Sequence, residues 1–373
     1  MCIRDSASTA TFRTIALHAD TAYTLLYTKY TVFEPGQFAF ERLLAIAGDT
    51  NAGMLYADRY QVEGGNRKPA PVIDYQKGSL RDDFDFGSLL FFRSSVLKQA
   101  VRAMDADYRF AGLYDLRLRV SELSELVHVN EYLYSEVETD TRKSGEKLFD
   151  YVDPKNRAVQ IEMESVCTAY LKRVGGYLAP GFEPISFDID GFEQEASVII
   201  PVRNRIRTIE DAIRSVLMQE TTFRFNLIIV DNHSTDGTSE AIEKYTADKR
   251  VIHLIPERFD LGIGGCWNVG VHHPACGKFA VQLDSDDVYS GPDTLQKIVN
   301  AFYEQNCAMV VGTYRMTDFK MNEIPPGIID HREWTPDNGR NNALRINGLG
   351  APRAFYTPVL RQINLPNTSY GED

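Results

Sequence analysis

The sequence predicts an α/β fold, with a mixed, Rossmann-like sheet carrying helices on both faces and a partial second copy of that fold near the N-terminus. From Ala196 onwards, short apolar segments alternate with amphipathic ones, as in parallel strands joined by helices. Polar clusters follow two of the apolar segments, and ligands bind at that edge of such sheets. A weak internal repeat predicts the second copy.

The apolar segments of the C-terminal half predict buried strands. Each is nearly continuous in apolar residues, which is typical of parallel strands covered on both faces. Thr208–Gln219 predicts a helix between the first two, with Thr208 and Asp211 spaced as in a capping box. The predicted strands are Ala196–Pro201, Asn226–Val230, Val251–Ile255 and Lys278–Leu283.

The middle of the chain predicts a connecting helix followed by a linker. The helix is expected to begin at Asp153-Pro154, where an N-cap residue precedes proline, and to end at Gly175. Residues 178–195 are rich in Pro, Gly and Asp, as linkers are. We therefore expect a first module at 7–150, a connecting helix and linker at 151–195, and a second module at 196–373.

The internal repeat relates the first module to the second. Glu41–Leu55 matches Gln296–Val310 at a constant offset, and Phe92 begins a strand-helix pair that matches one beginning at Phe355. The order of these elements favours a repeat over chance matching of amphipathic helices. Residues 7–150 would then be the C-terminal half of a module of the same fold.

Composition excludes several classes of protein. The formal net charge of −12 disfavours a nucleic-acid partner, because phosphate backbones attract clustered Lys and Arg. The five cysteines are scattered without a CxxC pair, which predicts a reducing cytosol and no zinc site. No run of about 18 apolar residues is present, so we expect at most peripheral membrane contact.

Two polar clusters are the candidate ligand sites. Asp284, Asp286 and Asp287 directly follow an apolar segment, and hard cations such as Mn²⁺ or Mg²⁺ take oxygen ligands beside substrate phosphates. The alternative for these residues is a solvated acidic turn or a helix cap. Asp231 and Asn232 follow another apolar segment, and their alternative role is an Asx turn that caps the next helix.

These motifs, in this order over Ala196–Asp373, resemble the family 2 glycosyltransferases of the GT-A fold. The resemblance implies that Pro201 and Arg203 belong to a nucleotide-contacting loop, although Arg203 stands where an aromatic residue is usual. Asp231 and Asn232 are similar to paired aspartates that read the nucleobase, with Asn232 replacing the second. An asparagine carbonyl can still accept a hydrogen bond from uracil N3–H.

The rest of the donor site is implied by the same resemblance. Gly262–Val271 is similar to a loop and helix start that carries an Ala-Arg-Asn triplet, of which Asn268 is retained while Trp267 replaces the arginine. Leu283–Asp287 resembles the metal and ribose motif. The resemblance makes Asp284 and Asp286 donor-binding residues, and Asp286 and Asp287 the metal ligands.

The acceptor side and the catalytic base are expected near the C-terminus. The segment Asn347–Phe355 resembles the one that lines the acceptor side, which implies roles for Gly348, Gly350 and Arg353. The final Tyr-Gly-Glu-Asp resembles the family's acidic motif, so Asp373, ahead of Glu372, is the expected base.

The resemblance therefore implies an inverting, metal-dependent hexosyltransferase. Its donor would be a nucleoside-diphosphate sugar, with UDP favoured, and its acceptor a saccharide or a lipid-linked glycan. The setting would be polysaccharide or glycolipid synthesis in the bacterial cytoplasm, at the inner face of the membrane. We expect the second module to be truncated at its C-terminus.

The first module is expected to lack metal-dependent activity. The repeat places Thr28–Thr31 where the second module has Asp284–Asp287, and Lys29 would repel a divalent cation. Asp115 aligns with Asp373, but without a metal site its expected role is structural. This module would dock a partner domain or hold the acceptor.

Two other functions compete with glycosyl transfer. An inert binding or scaffold protein is favoured by Asn232 and Trp267, and disfavoured by the retained aspartates. A sugar-phosphate nucleotidyltransferase is disfavoured because Pro201–Asn204 is not a glycine-rich, basic loop.

Overall fold

The computed structural model describes residues 8–138, 156–188, 191–331, 334–346 and 352–369. These residues divide into two units. The first unit is the described part of Met1–Pro180 together with that of His331–Gly348, and the second is the described part of Gly181–Asp330 together with that of Leu349–Asp373.

Helices and strands alternate along much of the described chain. The strands are β1 (Tyr23–Tyr27), β2 (Phe33–Pro35), β3 (Met54–Glu63), β4 (Asn66–Ala70), β5 (Leu89–Arg93), β6 (Leu126–Val137), β7 (Ala196–Val202), β8 (Phe225–Asp231), β9 (Val251–Leu254), β10 (Phe279–Gln282), β11 (Met309–Val311), β12 (Tyr314–Thr317), β13 (Glu323–Ile329) and β14 (Arg353–Tyr356). The helices are α1 (Thr9–His18), α2 (Ala39–Thr50), α3 (Ser94–Arg102), α4 (Gly112–Leu123), α5 (Arg157–Val174), α6 (Ile209–Leu217), α7 (Thr238–Glu243), α8 (Ile263–His272), α9 (Thr294–Gln305), α10 (Gly339–Asn342) and α11 (Thr357–Ile363).

The second unit is built on a six-stranded mixed sheet. Its strand order is β11-β14-β10-β7-β8-β9. Strands β10, β7, β8 and β9 run parallel to one another, while β14 is antiparallel to both β10 and β11. The central strands are buried along their length, so the apolar runs that predicted them have a direct structural cause. The predicted fold class is confirmed.

Helices cover both faces of this sheet, as expected. Val198 and Leu227 pack in one apolar cluster with α6, α7 and α9. Ile199 and Ile228, the next residues along each strand, pack in a different cluster with α8 and α11. Successive strand residues point to opposite faces, so the two clusters lie on the two sides of the sheet.

The predicted strands of the second unit are confirmed with small shifts at their ends, whereas the predicted capping box is wrong. The Thr208 hydroxyl is buried and has no partner among the described residues. The N–H of Asp211, which that hydroxyl would have to accept from, donates to the Thr208 carbonyl instead. The Asp211 carboxylate pairs with Arg214, so neither half of the box forms.

The first unit contains another six-stranded sheet. Its main path is β1-β5-β3-β6-β2, with β4 paired to the outer part of β3. One face packs on α1, α3 and α4, and the other packs on α2. Helix α5 ends at Gly175, as predicted, in a left-handed cap with φ of 76°, and its Val166 and Cys167 pack against α4. Its predicted start at Asp153-Pro154 lies outside the described residues.

The two sheets share a pattern of strand pairing. In the first unit, β1 and β3 both pair antiparallel with β5. In the second unit, β10 and β11 both pair antiparallel with β14. The register agrees with the offsets of the proposed repeat, which supports that hypothesis, although the repeat remains a prediction. The paired residues are Tyr23 with Arg93 and Met54 with Phe92 in the first unit, and Phe279 with Tyr356 and Met309 with Phe355 in the second.

Candidate active site

The loop after β7 is tied to the turn after β8. The backbone N–H of Asn204 donates to Ser234 Oγ at 3.0 Å, and the N–H of Thr235 donates to Asn204 Oδ1 at 2.8 Å. The N–H of Arg205 donates to Thr238 Oγ1 at 2.8 Å. Asn204 has a φ of 55°, a conformation that asparagine tolerates better than most residues. Pro201 and Arg203 lie in this strand end and loop, where the sequence predicted a nucleotide-contacting segment.

Asp231 is a buried carboxylate whose oxygens bond within the protein. It accepts from the backbone N–H of Ser234 at 3.0 Å, from the Ser239 hydroxyl, and from His253 Nε2 at 3.4 Å. Burial alone would raise its pKa, but the hydrogen bonds from His253, Ser234 and Ser239 outweigh burial and hold the pKa well below the usual range. The alternative Asx-turn role is therefore visible, and donor binding by Asp231 stays a prediction.

The side-chain amide of Asn232 is held in one orientation, and its oxygen has no hydrogen-bond donor among the described residues. Its Nδ2 donates to the carbonyl of Leu261 at 2.8 Å, so exchanging the two ends of the amide would place two oxygens against each other. Its Oδ1 is buried and has no partner among the described residues. A buried acceptor left without a donor is costly, and an N–H group placed against this oxygen would remove that cost.

The acidic turn after β10 is braced from the sheet. Arg353 on β14 is buried and donates from Nε to Gln282 Oε1 at 2.6 Å, and Gln282 Nε2 lies 3.3 Å from Asp284 Oδ1. The Asp287 N–H donates to the Asp284 carbonyl at 3.1 Å. Arg353, predicted on the acceptor side, thus contacts the base of the acidic turn in this structure.

The carboxylates of this turn are crowded. The pKa of Asp287 is raised to about 6, first by partial desolvation and then by the negative charges of Asp284 and Asp286. Because the Asp287 side chain reaches solvent, the neighbouring charges contribute more to this rise in pKa than desolvation does. A bound cation would relieve that repulsion. Arg205 lies beside the turn, with its Nε 3.7 Å from Asp286 Oδ2.

The donor set of the turn suits a metal that is shared with a substrate. Within the described residues, no group of three or more His, Cys, Asp or Glu side chains is arranged to hold a metal ion. Mg²⁺ in phosphate-transfer sites is typically bound by one or two carboxylates plus substrate phosphates. Asp286 and Asp287, both exposed, offer that number of carboxylates, so the residues present fit Mn²⁺ or Mg²⁺ held together with a diphosphate.

The segment Leu365–Ser369 lies against the loop and helix start at 260–268. The N–H of Gly262 donates to Asn367 Oδ1 at 2.8 Å, and the N–H of Gly264 donates to the carbonyl of Thr368 at 3.0 Å. Both ends of the Asn268 amide bond to the backbone of Leu365, at 2.7 and 2.9 Å. Asn268 is therefore a brace in this structure, and its contact with a donor stays a prediction.

Four of the predicted site residues lie outside the described residues. They are the expected base Asp373, its alternative Glu372, and the two acceptor-side glycines Gly348 and Gly350. The last described residues, 365–369, lie against the loop at 260–268.

Two features of the site were missed from the sequence. Arg205 was not singled out, although an arginine in a loop at a strand end is a recognisable signal for an anion or carboxylate contact. Phe259 stacks on His233 with ring centroids 4.0 Å apart and is 78% exposed. No local pattern foretold this stack, because it joins the β8 turn to a loop that begins beyond β9.

The region that contains the loops after β7, β8 and β10 matches a known protein family. The family model for glycosyl transferase family 2 matches residues 197–361, which include the loops after β7, β8 and β10. Residues 197–361 form a family 2 glycosyltransferase domain. The expected family is confirmed for this domain.

Relatives of the family 2 domain match similar stretches. An uncharacterized glycosyltransferase of Rickettsia felis is 39% identical over 184 residues, which are 48% of this chain and 29% of the relative. A poly(ribitol-phosphate) β-N-acetylglucosaminyltransferase of Staphylococcus aureus, TarS, is 27% identical over 169 residues, 44% of this chain and 28% of the relative. The chain thus spans less than a third of the length of these relatives.

A solved structure also overlaps the chain. The crystal structure of S. aureus TarS matches 48% of this chain and 32% of that chain, with 25% identity and a TM-score of 0.39. A score this low defines no equivalent positions.

None of the helices in the described ranges is both long enough and apolar enough to cross a membrane.

Proposed function

We propose that the family 2 domain transfers a hexosyl group from a nucleoside-diphosphate sugar, with UDP as the favoured nucleotide, to an acceptor hydroxyl. The observation that carries this proposal is the convergence of three loops on Arg205. Its backbone N–H bonds to Thr238 beyond β8, and its guanidinium lies 3.7 Å from Asp286 beyond β10. This convergence brings the predicted nucleotide loop, base-reading turn and metal turn to one edge of the sheet.

The orientation of Asn232 supports a uracil base. Its Oδ1 is a fixed, buried acceptor without a donor among the described residues, and uracil N3–H is a donor of the required kind. Phe259 offers an exposed aromatic face on a neighbouring loop, which suits stacking on a base.

The acidic turn supports dependence on Mn²⁺ or Mg²⁺. Asp286 and Asp287 would hold the ion beside the diphosphate, where it would act as a Lewis acid that stabilises the departing nucleoside diphosphate. The Arg205 guanidinium lies near the Asp286 carboxylate, while Arg203 adds a positive charge near the start of α8. That charge partly offsets the effect of burial, which raises the pKa of Cys266 to about 11.

We assign the base to Asp373, with Glu372 as the alternative. A carboxylate near the acceptor hydroxyl would take its proton as the oxygen attacks the anomeric carbon, and a single in-line displacement inverts the configuration. The support is the position of residues 365–369, which precede Glu372 in the sequence and bond to Gly262 and Gly264 at the start of α8. The relative TarS is named as a poly(ribitol-phosphate) β-N-acetylglucosaminyltransferase, and for this chain we propose a saccharide or lipid-linked acceptor.

Calorimetric titration tests this function. UDP and Mn²⁺ are titrated separately and together into the full chain, its Asp286→Asn/Asp287→Asn variant, and an Asp293→Asn control that alters an exposed aspartate paired with Lys297. We expect Mn²⁺ to strengthen UDP binding by about tenfold or more in the wild type and the control, and to have no effect in the double variant. Absence of this coupling in folded wild type, or its persistence in the double variant, would contradict the proposal.

Product analysis separates catalysis from binding. Incubation with UDP-sugars and Mn²⁺ should release UDP in the wild type and not in the double variant. A protein that binds UDP with Mn²⁺ but releases none in the presence of any acceptor tried would favour an inert binding protein.

A further inference from the structure

The first unit contains a cavity of about 500 Å³ that the family 2 domain does not explain. Its wall includes the loop 82–88, the outer part of β6 and the start of α4. The volume lies in the usual range for small-molecule sites. All of the residues that line it belong to the first unit.

Buried charged groups form one side of the cavity. Arg59 lines it and is 7% exposed, with Nε 2.8 Å from Glu136 Oε1 and Nη2 2.9 Å from Asp85 Oδ2. Its third nitrogen, Nη1, is buried and has no partner among the described residues. Lys29 Nζ lies 2.9 Å from the same Glu136 oxygen. The side chains that could meet a ligand are therefore already held in place, and a donor is left over.

The charges that line the cavity balance. Asp82 pairs with Arg345 and Asp83 pairs with Arg81, so these two carboxylates are neutralised by arginines that do not line the cavity. Equal numbers of cations and carboxylates remain on the wall, so a di- or trivalent anion such as a nucleotide gains no net attraction. The remaining groups are the cations Lys29, Arg59 and Arg117 and the carboxylates Asp85, Glu136 and Glu138.

Half-buried aromatic rings line the same cavity. Phe84 and Phe86 lie with ring centroids 4.4 Å apart, and Phe110 also contributes to the wall. A sugar ring has apolar C–H faces that pack on aromatic rings, and its hydroxyls both donate and accept hydrogen bonds. A wall that combines aromatic rings, carboxylate acceptors and guanidinium donors matches those requirements.

We propose that this cavity binds a neutral saccharide. The hydroxyls donate to Glu138 or Asp85 and accept from Arg59 Nη1 and Lys29, while the ring packs against the phenylalanines. The site requires neither a metal nor a nucleotide, and it does not depend on the transferase activity proposed for the second unit.

Ligand-observed NMR and calorimetry with the full chain test the proposal. The probes are glucose, galactose, N-acetylglucosamine and N-acetylgalactosamine, with the disaccharides cellobiose and lactose. Arg59→Lys removes the spare donor while keeping the charge, and Leu113→Trp enlarges a side chain on the α4 wall of the cavity while leaving every charged residue unchanged. Arg42→Lys, which alters an exposed pair with Glu131 in the same unit, is the matched control.

The expected result is saturable binding of at least one probe, weakened about tenfold or more by Arg59→Lys and by Leu113→Trp but not by Arg42→Lys. Binding should also survive Asp286→Asn/Asp287→Asn, which distinguishes this site from the donor site. A disaccharide that binds tighter than its monosaccharides identifies a glycan chain as the source of the ligand, and equal affinities identify a single sugar.

Three results would overturn the proposal. They are the absence of binding by every probe to the folded wild type, binding that resists both cavity variants, and displacement of the bound sugar by inorganic phosphate. Circular dichroism of each variant establishes that it is folded. If one cavity variant fails to fold, the other still decides the outcome.

Discussion

The turn after β1 and the turn after β10 follow strands with the same kind of pairing, yet they handle charge in opposite ways. After β1, Lys29 pairs with the buried Glu136 at 2.9 Å. After β10, Asp284, Asp286 and Asp287 crowd together, with one arginine 3.7 Å from Asp286. The first turn is neutralised by the protein itself, whereas the second keeps a surplus of negative charge that an added cation would offset.

Reversing the charge of the first turn should have the largest effect. Lys29→Asp places a carboxylate against the buried Glu136 and the nearby Glu138, so the free energy of unfolding should fall by roughly 2–4 kcal/mol. Urea unfolding at neutral pH measures the change. Arg42→Asp, at an exposed pair with Glu131, should change the stability much less. Equal losses of stability in both variants would show that burial of Glu136 does not make the Lys29 pair more important than an exposed pair.

Closing the space beside Gly262 should have the next largest effect. A Cβ at Gly262 would lie 2.4 Å from the backbone of Thr368, so Gly262→Ala should push the segment 365–369 away and reduce stability by roughly 1–3 kcal/mol. Hydrogen exchange should increase in that segment.

A second glycine provides the control for this substitution. A methyl group added at Gly48, in α2, would meet no atom of the described residues within 4 Å, and Gly48→Ala should stabilise the protein by about 0.5–1 kcal/mol. Unchanged exchange at 365–369 in the Gly262 variant would mean that the segment is not held by this contact.

The acidic turn after β10 should respond to pH near 6. The pKa of Asp287 is raised to about 6, so protons compete with Mn²⁺ below that pH, and the Mn²⁺ enhancement of UDP binding should fall by up to about tenfold per pH unit. The stability of the metal-free protein should change in the opposite direction: the free energy of unfolding should rise as the pH falls below about 6, because protonation of Asp287 relieves the repulsion. Calorimetric titration of UDP with and without Mn²⁺ at several pH values around 6 measures this effect. An Mn²⁺ enhancement that does not change with pH would show that the crowded carboxylates do not bind the ion.

The smallest effect is expected at His253, whose Nε2 bonds to Asp231 at the turn after β8. The hydrogen bond to Asp231 raises the pKa of His253, so its contribution to stability is fully present below the unfolded value of about 6.5 and is lost as the pH rises through the folded value. His253→Gln should therefore cost roughly 1 kcal/mol near pH 5.5 and less near pH 8. Urea unfolding at both values measures it, and an equal loss at both would mean that the protonated form is not involved.

The sequence was informative where one physical cause acts locally. The strands around Val198 and Leu227 are buried on both faces, and burial leaves a continuous apolar run that can be read directly. The end of α5 was readable for a similar reason, because glycine accommodates the left-handed cap at Gly175.

Contacts between distant residues were not readable in this way. The capping box at Thr208 failed because a backbone carbonyl took the hydrogen bond that the side chain was expected to accept. The spare acceptor of Asn232 depends on Leu261, and the position of Asp286 beside Arg205 depends on the path of two loops. The balanced cavity around Arg59 depends on Glu136, which lies far along the chain from it.

The hydrogen bond between Gly262 and Asn367 joins residues 105 positions apart, which has a consequence for the order in which these contacts form. Contacts of such separation close late, since the loop entropy is lost before the contact is gained. During synthesis, the parallel strands β7 to β10 can pair as soon as they emerge, whereas the glycine-rich start of α8 gains its bonds to Asn367 and Thr368 only after those residues have been translated. This part of the sheet edge thus becomes rigid in a newborn chain only after the parallel strands have paired.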